Sequence, residues 1–347
     1  MRNSNIEFFR FILMIAICVW HLIVHGLGLS NIKNGGGAKH YIPITVGLLS
    51  KIRSIRPTVL ITEGFFQWTP WVILYAFFHR IPVYMGYERT CHTERNISCI
   101  LKWHRKITDK FITGYLVNGT ETKKYLLSLG IKSEKIHIGG MNADGSGLRQ
   151  GIAQMNDSEL KKRLKRGDEG IVYLFTGYVT QRKGIKYLLS VWKKHIENHP
   201  NDSQVVVGNG DQYEECVSSY VKYQSIFFEG RVDYSEIHKY YGVADVYIMP
   251  TIEDNWSLVI PEAMSCGLPV ATSVYNGCHT DLIKDGENGF VFDTFDQKSI
   301  LDTLDKFHHV NLKEFGEKSI ELEKEFDTEH CAQRTFEAII DDQKVNK

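Results

Sequence analysis

Two α/β units of the doubly wound kind, with parallel sheets and an apolar helix ahead of them, are the fold this sequence predicts. Three features predict it. From residue 58 onward, short β-branched and aromatic runs alternate with helical patterns, the mark of strand–helix–strand units. Beyond residue 170 five such runs recur at nearly regular intervals, which builds one parallel sheet. Finally, 347 residues, 43% apolar and 24% charged, are enough for two hydrophobic cores and too apolar for a disordered chain.

Residues 1–30 differ in character from the rest. Phe11 to Trp20 is a continuous apolar run, and with Leu22 to Leu29 it approaches the length that spans a bilayer. Glu7 and the lack of a small-residue cleavage pattern argue against a signal peptide. Arg2 and Arg10 would hold the N-terminus in the cytoplasm and export the rest of the chain, with Lys33 and Lys39 pulling the other way. The reading is a helix in the membrane interface, one packed on protein, or a fusion scar.

After Asn34–Gly37 the alternation starts. Thr58–Thr62 reads as a buried strand, Thr69 and Pro70 as the cap and first residue of a helix, and Pro82–Gly86 as the next strand. The loop after it, Tyr87 to Arg95, carries Glu88, Arg89, His92, Glu94 and Arg95. Ligands of open α/β sheets sit beyond the carboxyl ends of strands, which makes this loop a site candidate as well as an ion-paired surface loop. Residues 97–113 read as a helix whose Lys102, His104, Arg105, Lys106 and Lys110 suit an anionic membrane surface or simple packing on the sheet. Tyr115–Val117 is a strand, and Thr120 caps a helix that Gly130 ends.

Residues 140–168 read as the boundary. The strands of the second unit are Ile171–Thr176, Gln204–Val207, Ile226–Glu229, Asp245–Met249 and Val270–Thr272, with Gly289–Phe292 a sixth and helices near 296–308, 312–326 and 328–342. The domains are thus an apolar helix over 1–30, a first unit over 31–150, a second over 151–325, and a C-terminal helix over 326–347 that can cross back to the first.

Composition excludes some partners. Lys plus Arg equals Asp plus Glu at 41 each, so no global field draws the chain to nucleic acid. The seven cysteines are scattered and form no C-x-x-C pair, which suits a reducing compartment and argues against a structural zinc site. Asn255-Trp256-Ser257 is formally a glycosylation acceptor, but its place among the acids below points to a site instead.

The chemistry concentrates at four turns. After the first strand of the second unit come Gly177-Tyr178-Val179-Thr180-Gln181-Arg182-Lys183-Gly184, where a glycine allows close backbone approach and two cations suit a leaving diphosphate. Gly208-Asn209-Gly210 and Gly230-Arg231 follow the next two strands. The fourth turn opens the stretch Glu253 to Ser273: two acids, a helix start near Leu258, Glu262, and Gly267 with Pro269 to end the helix. N–H groups at such a helix start are suited to an anion.

That ordered set resembles the C-terminal domain of family 4 glycosyltransferases, retaining enzymes of the two-Rossmann-domain GT-B fold, from about Tyr41 to the end. The family's acid, seven residues, Glu, Ala-Met and Gly-x-Pro-Val correspond to Asp254, Glu262, Ala263-Met264 and Gly267-Leu268-Pro269-Val270. The resemblance implies that Glu262 binds the donor ribose and Asp254 a hydroxyl of the transferred sugar. It assigns the sugar and phosphate to the backbone of Asn255, Trp256, Ser257 and Leu258. Lys183 takes the diphosphate, with Arg182 replacing the arginine that many members carry where Tyr178 stands, and Arg231 marks the turn that reads the nucleobase. Gly177, Gly208, Asn209 and Gly210 complete the donor side. Glu88 or His92 stands nearest the family's catalytic histidine, to orient the acceptor hydroxyl. Asp254-Asn255-Trp256-Ser257 departs from the usual Glu-Gly-Phe-Gly. The family's first domain also begins with strands for which this chain has only about thirty residues, so the first unit is expected to be truncated.

Residues 1–30 resemble the first membrane helix of family 3 membrane acyltransferases, with Arg10 and His21 at the matching places, but the multi-helix body of such an enzyme has no counterpart downstream. The resemblance to glycosyltransferases implies a bacterial-type, retaining transfer of sugar from a nucleotide-diphospho-sugar to a glycan or lipid-linked acceptor of a surface polysaccharide or glycolipid. It implies no metal, no other cofactor and no nucleic acid, and a place in the cytoplasm or at the cytoplasmic face of the inner membrane through peripheral or single-helix contact. An inactive fused or truncated nucleotide-sugar-binding protein and a GT-B epimerase are the alternatives.

Overall fold

The computed structural model describes residues 47–65, 68–143, 145–155, 158–167 and 169–345. The apolar stretch 1–30, with Arg10 and His21, lies outside them.

The first unit is a four-stranded parallel sheet, β1 Leu60–Glu63, β2 Val83–Tyr87, β3 Gly114–Val117 and β4 Ile136–Ile138, in the order β1-β2-β3-β4. Its register pairs Tyr84 with Gly114 and Tyr115 with Ile136. Among the described residues this order has no reversal point, so the sheet is half of a doubly wound one. A separate core containing Ile73, Met85, Tyr115, Leu126 and Ile136 fills it. Strand β4 has no counterpart in the sequence reading, because three residues with a histidine at the centre carry little period-two signal.

Two cap assignments are corrected. Thr69 is inside its helix, Thr69–His79, with Trp68 at the cap position, and its hydroxyl donates to Gly64 O at 2.8 Å. Thr120 likewise opens the helix Thr120–Ser128 behind Gly119, and its side chain turns to Asp281 of the second unit. The helix read over 97–113 is Cys99–Thr108 plus a short 3-10 turn, capped by Ser98, whose hydroxyl accepts from Leu101 N. His104 is buried and Arg105 turns inward to Glu94 at 2.8 Å, so the exposed face carries Ile100, Lys102, Trp103 and Lys106 instead.

The second unit is a six-stranded parallel sheet: β5 Val172–Thr176, β6 Ser203–Val207, β7 Ile226–Gly230, β8 Val246–Met249, β9 Val270–Ser273 and β10 Gly289–Phe292. The order β10-β9-β8-β5-β6-β7 reverses between β5 and β8. That is the doubly wound arrangement, in which ligands bind at the switch point beyond the strand ends. Strands β5, β6, β8 and β9 are buried along their whole length, which explains the apolar stretches Val172–Phe175, Val205–Val207 and Val246–Met249.

The helix Val259–Ser265 ends as its sequence requires. Gly267 has φ +78°, its N–H bonds Met264 O at 3.0 Å and Leu268 N bonds Ala263 O at 3.1 Å, the paired bonds of a glycine-terminated helix end. The boundary at residue 150 is also moved. Helix Gly145–Gln154 packs on the helices His238–Val243 and Val259–Ser265, and its Leu148 lies in the second core.

The last helix, Thr328–Val345, returns to the first sheet: Tyr84 OH donates to Asp342 at 3.1 Å, and His137 Nε2 is 3.0 Å from the same carboxylate. Among the described residues no helix is long and apolar enough to cross a membrane.

Candidate active-site cleft

The turns at the carboxyl ends of β5, β6 and β8 are interlocked through their backbones. Gly177 N bonds Val207 O at 3.0 Å, and Val179 N bonds Asn209 O at 3.0 Å. Gly208, at φ +137°, has no room for a side chain, because a Cβ there would overlap the carbonyl of Gly177. The Gly208-Asn209-Gly210 turn is therefore a tight seat for the basic turn, and its residues do not line the cleft cavity.

The basic turn in turn holds the acidic one. Arg182 O accepts from Ile252 N at 2.9 Å and from the Thr251 hydroxyl at 2.8 Å, while the Arg182 guanidinium donates to Glu253 O at 3.1 Å. This clasp fixes the central feature. Lys183 Nζ lies 2.6 Å from Asp254 Oδ2, Ser257 Oγ donates to the same oxygen at 2.7 Å, and Arg182 stands 3.5 Å away. Asp254 is only 9% exposed. Burial pushes its carboxyl up, but Lys183, Ser257 and Arg182 together outweigh burial and hold it below the usual carboxylate range.

A cavity of about 640 Å³ opens above this pair, lined from the second unit by Tyr178, Arg182, Asp211, Glu253, Asp254 and Asn255, and from the first unit by Arg89 and Thr93. The Asn255 side-chain oxygen is buried without a hydrogen-bond partner, a polar atom at the cavity wall whose partner a ligand can supply.

Glu262 sits in the first turn of Val259–Ser265, with Oε2 accepting from Tyr241 OH at 2.8 Å and Oε1 from Tyr234 OH at 3.3 Å. Tyr241 is fully buried and its hydroxyl also meets Thr176 Oγ1 at 3.0 Å, which meets Tyr247 OH at 3.1 Å. A fixed chain of hydroxyls thus orients this carboxylate.

Of the two residues offered for the acceptor side, the structure brings His92 to the acidic loop. Its Nε2 is 2.9 Å from Ile252 O and its ring centre is 4.8 Å from that of Tyr275. Glu88 is exposed, and its contact is through the backbone, which accepts from Thr122 Oγ1 at 2.9 Å. Arg231 is exposed after β7, outside the cavity lining, and Leu258 is a half-exposed helix cap. The side chain of Trp256 is buried against Phe326 and beside Gly119 of the first unit, so it packs the two units together while its backbone remains in the loop.

Sequence reasoning missed Thr93, Thr180, Gln181 and Asp211 in the lining, and Tyr234, Tyr241 and Ser257 as supports of the two acids. Asp211 directly follows the G-x-G turn and was findable by position. The tyrosines come from a different helix and turn, and their spacing carries no signal.

Residues 156–322 match the family model described as glycosyl transferases group 1. The chain is 35% identical over 126 residues to an uncharacterized glycosyltransferase of Methanocaldococcus jannaschii, which is 35% of this chain and 32% of that protein. It is 26% identical over 230 residues, 63% of this chain and 57% of that protein, to the UDP-Gal:alpha-D-GlcNAc-diphosphoundecaprenol alpha-1,3-galactosyltransferase of Escherichia coli. The chain thus spans about a third to three fifths of the length of these curated relatives.

Solved structures share the fold at low identity. A glycosyltransferase from Rickettsia africae superposes with a TM-score of 0.71 at 16% identity, over 90% of this chain and 85% of that one. Anabaena Alr3699/HepE in complex with UDP gives 0.68 at 14% identity, over 84% and 82%. Two parallel α/β sheets facing a cleft are therefore the GT-B arrangement.

Proposed function

We propose that this chain is a glycosyltransferase that moves a sugar from a nucleotide-diphospho-sugar to a glycan or lipid-linked acceptor, in the synthesis of a surface polysaccharide or glycolipid. The observation that carries the reading is the Lys183–Asp254 pair, 2.6 Å long and backed by Arg182, at the floor of a cavity between two units. The matched family, the galactosyltransferase relative and the UDP-bound structural neighbour support the substrate class.

The residues have capacity to spare for such a ligand. An ammonium has three donors, so Lys183 can keep Asp254 and still reach a diphosphate oxygen. Arg182, at the rim, adds charge as the diphosphate leaves. Glu262, oriented by the hydroxyls of Tyr241 and Tyr234, would bind the donor ribose. Asp254, held ionised, takes a hydroxyl of the transferred sugar, and His92 orients the acceptor. The transfer is of the family 4 kind, retaining, with the acceptor attacking on the face the diphosphate leaves. The positive charge comes from the protein and the co-substrate needs no further cofactor.

The nucleotide donor places the reaction in the cytoplasm, and the exposed Ile100 and Trp103 beside Lys102 and Lys106 suit peripheral contact with an anionic membrane face that carries the acceptor.

The test is donor binding and transfer with labelled UDP- and GDP-sugars. Glu262→Ala should abolish donor binding, and unchanged affinity would sink the site assignment. Binding without turnover on any acceptor would favour a nucleotide-sugar-binding protein that does not transfer.

A further inference from the structure

A second polar cluster lies in the second unit outside the cleft lining. His195 belongs to the helix Ile185–Asn198, Asp202 to the turn ahead of β6, and His308 to the 3-10 turn that follows Gln297–Lys306. Three separate segments thus converge on one carboxylate oxygen: Asp202 Oδ2 is 2.7 Å from His195 Nε2 and 2.8 Å from His308 Nε2. The other oxygen, Oδ1, accepts from Ile171 N at 2.8 Å, which fixes the carboxylate at the start of β5. His195 and Asp202 are almost fully buried. Nothing in the cleft chemistry uses these groups.

The geometry points to a site for one divalent transition-metal ion of the zinc class, held by His195 Nε2, His308 Nε2 and Asp202 Oδ2. The three ligand atoms lie within 4.8 Å of one another. Two imidazoles and a carboxylate are a common three-ligand set for zinc, at about 2.0–2.2 Å each, with a fourth position for water. Ligand atoms around such an ion stand about 3.3 Å apart, so each imidazole withdraws from Oδ2 by roughly half an ångström. His308, on a short turn and with its side chain 18% exposed, has the room to do so. In the ion-free site each imidazole donates its Nε2–H to Asp202 Oδ2; on metal binding each neutral ring shifts that proton to Nδ1 and offers the Nε2 lone pair, so two hydrogen bonds are exchanged for two coordinate bonds with no net loss of a proton.

The surroundings fit this assignment. His199 stacks on the His308 ring with centres 3.7 Å apart, which fixes the plane of that ring while letting it slide within the plane. Its own Nε2 is 3.0 Å from Asp305 Oδ1, which keeps Asp305 on the outer side. A cavity of about 670 Å³ lined by His195, His199, Lys194, Asp302 and Asp305 adjoins the cluster and gives a water and the ion a way in. These ligands are histidine and aspartate, so the absence of paired cysteines does not bear on them. The ion would tie the helix that follows the Arg182–Lys183 turn to the end of Gln297–Lys306.

The experiment uses the full chain without a histidine tag, stripped with EDTA, dialysed, and titrated with zinc chloride by calorimetry. One ion per chain is expected, with a melting temperature that rises on addition of zinc. His308→Gln, at a partly exposed position that tolerates an amide, should weaken binding by at least about tenfold and abolish the thermal response. Cobalt in place of zinc should give the visible absorption of a four-coordinate site in the wild-type chain only. No bound ion, or equal binding by wild type and His308→Gln, overturns the assignment; equal binding would place the ion on surface histidines such as His309 and His330.

Discussion

Replacing Lys183 by Met separates the structural from the chemical role of the cleft pair. Asp254 is 9% exposed and Lys183 Nζ is 2.6 Å from its Oδ2. Removing one partner of a buried pair leaves an uncompensated charge and costs about 3–5 kcal/mol. Ser257 Oγ at 2.7 Å and Arg182 at 3.5 Å stay behind, so the low end, about 3 kcal/mol, applies. With a urea slope of about 2 kcal/mol/M, the unfolding midpoint falls by about 1.5 M. Lys183→Met/Asp254→Asn removes the stranded charge and should recover most of that loss. Donor binding should stay absent in both variants.

The pH dependence carries a sign. In the wild type the Asp254 carboxyl is held below its usual value, so its contribution is fully present above the unfolded pKa and is lost as pH falls through the folded one. In Lys183→Met burial outweighs the remaining partners and the carboxyl rises, so the difference from wild type shrinks as pH drops from neutral toward about 4. A Lys183→Met chain with an unchanged midpoint would refute the claim that the pair is desolvated. One that is destabilised but binds UDP normally would remove Lys183 from the donor site.

Two further outcomes rest on the same geometry. Tyr241→Phe deletes the 2.8 Å bond to Glu262 Oε2 and the link to Thr176; donor affinity should fall by up to about tenfold, equivalent to roughly 1.4 kcal/mol, with Kd from calorimetry as the check. Gly208→Ala places a Cβ against the Gly177 carbonyl at φ +137°, which should cost more than about 4 kcal/mol and yield little folded protein, as read by denaturant titration.

Strands β5, β6, β8 and β9 were legible because both faces are covered and each carries an uninterrupted apolar stretch, Val172–Phe175, Val205–Val207, Val246–Met249 and Val270-Ala271. The spacing of Asp254 and Glu262 and the order of the turns were equally local, and so the pairing of Arg182 and Lys183 with the first acid arises from strands that lie side by side. What was not legible is non-local. Thr69 and Thr120 have the composition of helix caps, yet each spends its hydroxyl on a partner elsewhere, Gly64 in one case and Asp281 in the other. Trp256 reads as a site residue by position, but Gly119 from the other unit leaves space that its ring fills. Nothing in the spacing around Glu262 foretells that Tyr241, from the preceding helix, orients it.

The contacts between the two units differ in strength, and this bears on how the cleft works. Arg95 and Glu253 meet at 2.7 Å but are 47% and 30% exposed, and an ion pair of that kind is worth about 0–1 kcal/mol. His92 adds one bond to Ile252 O. Farther from the cavity, Asp281 accepts from Thr120 N at 2.9 Å and from the Thr120 hydroxyl at 2.7 Å, satisfying one of the free N–H groups at the start of a helix of the first unit from the second. Trp256 packs beside that same helix start, and the final helix bonds Tyr84 and His137 of the first sheet. The durable contacts are thus at Thr120 and at the returning helix, while those at the cavity mouth are weak. If the two units move apart, the exposed contacts at the cavity mouth, Arg95–Glu253 and His92–Ile252 O, are the ones that break at small cost, while Thr120–Asp281 and the returning helix hold.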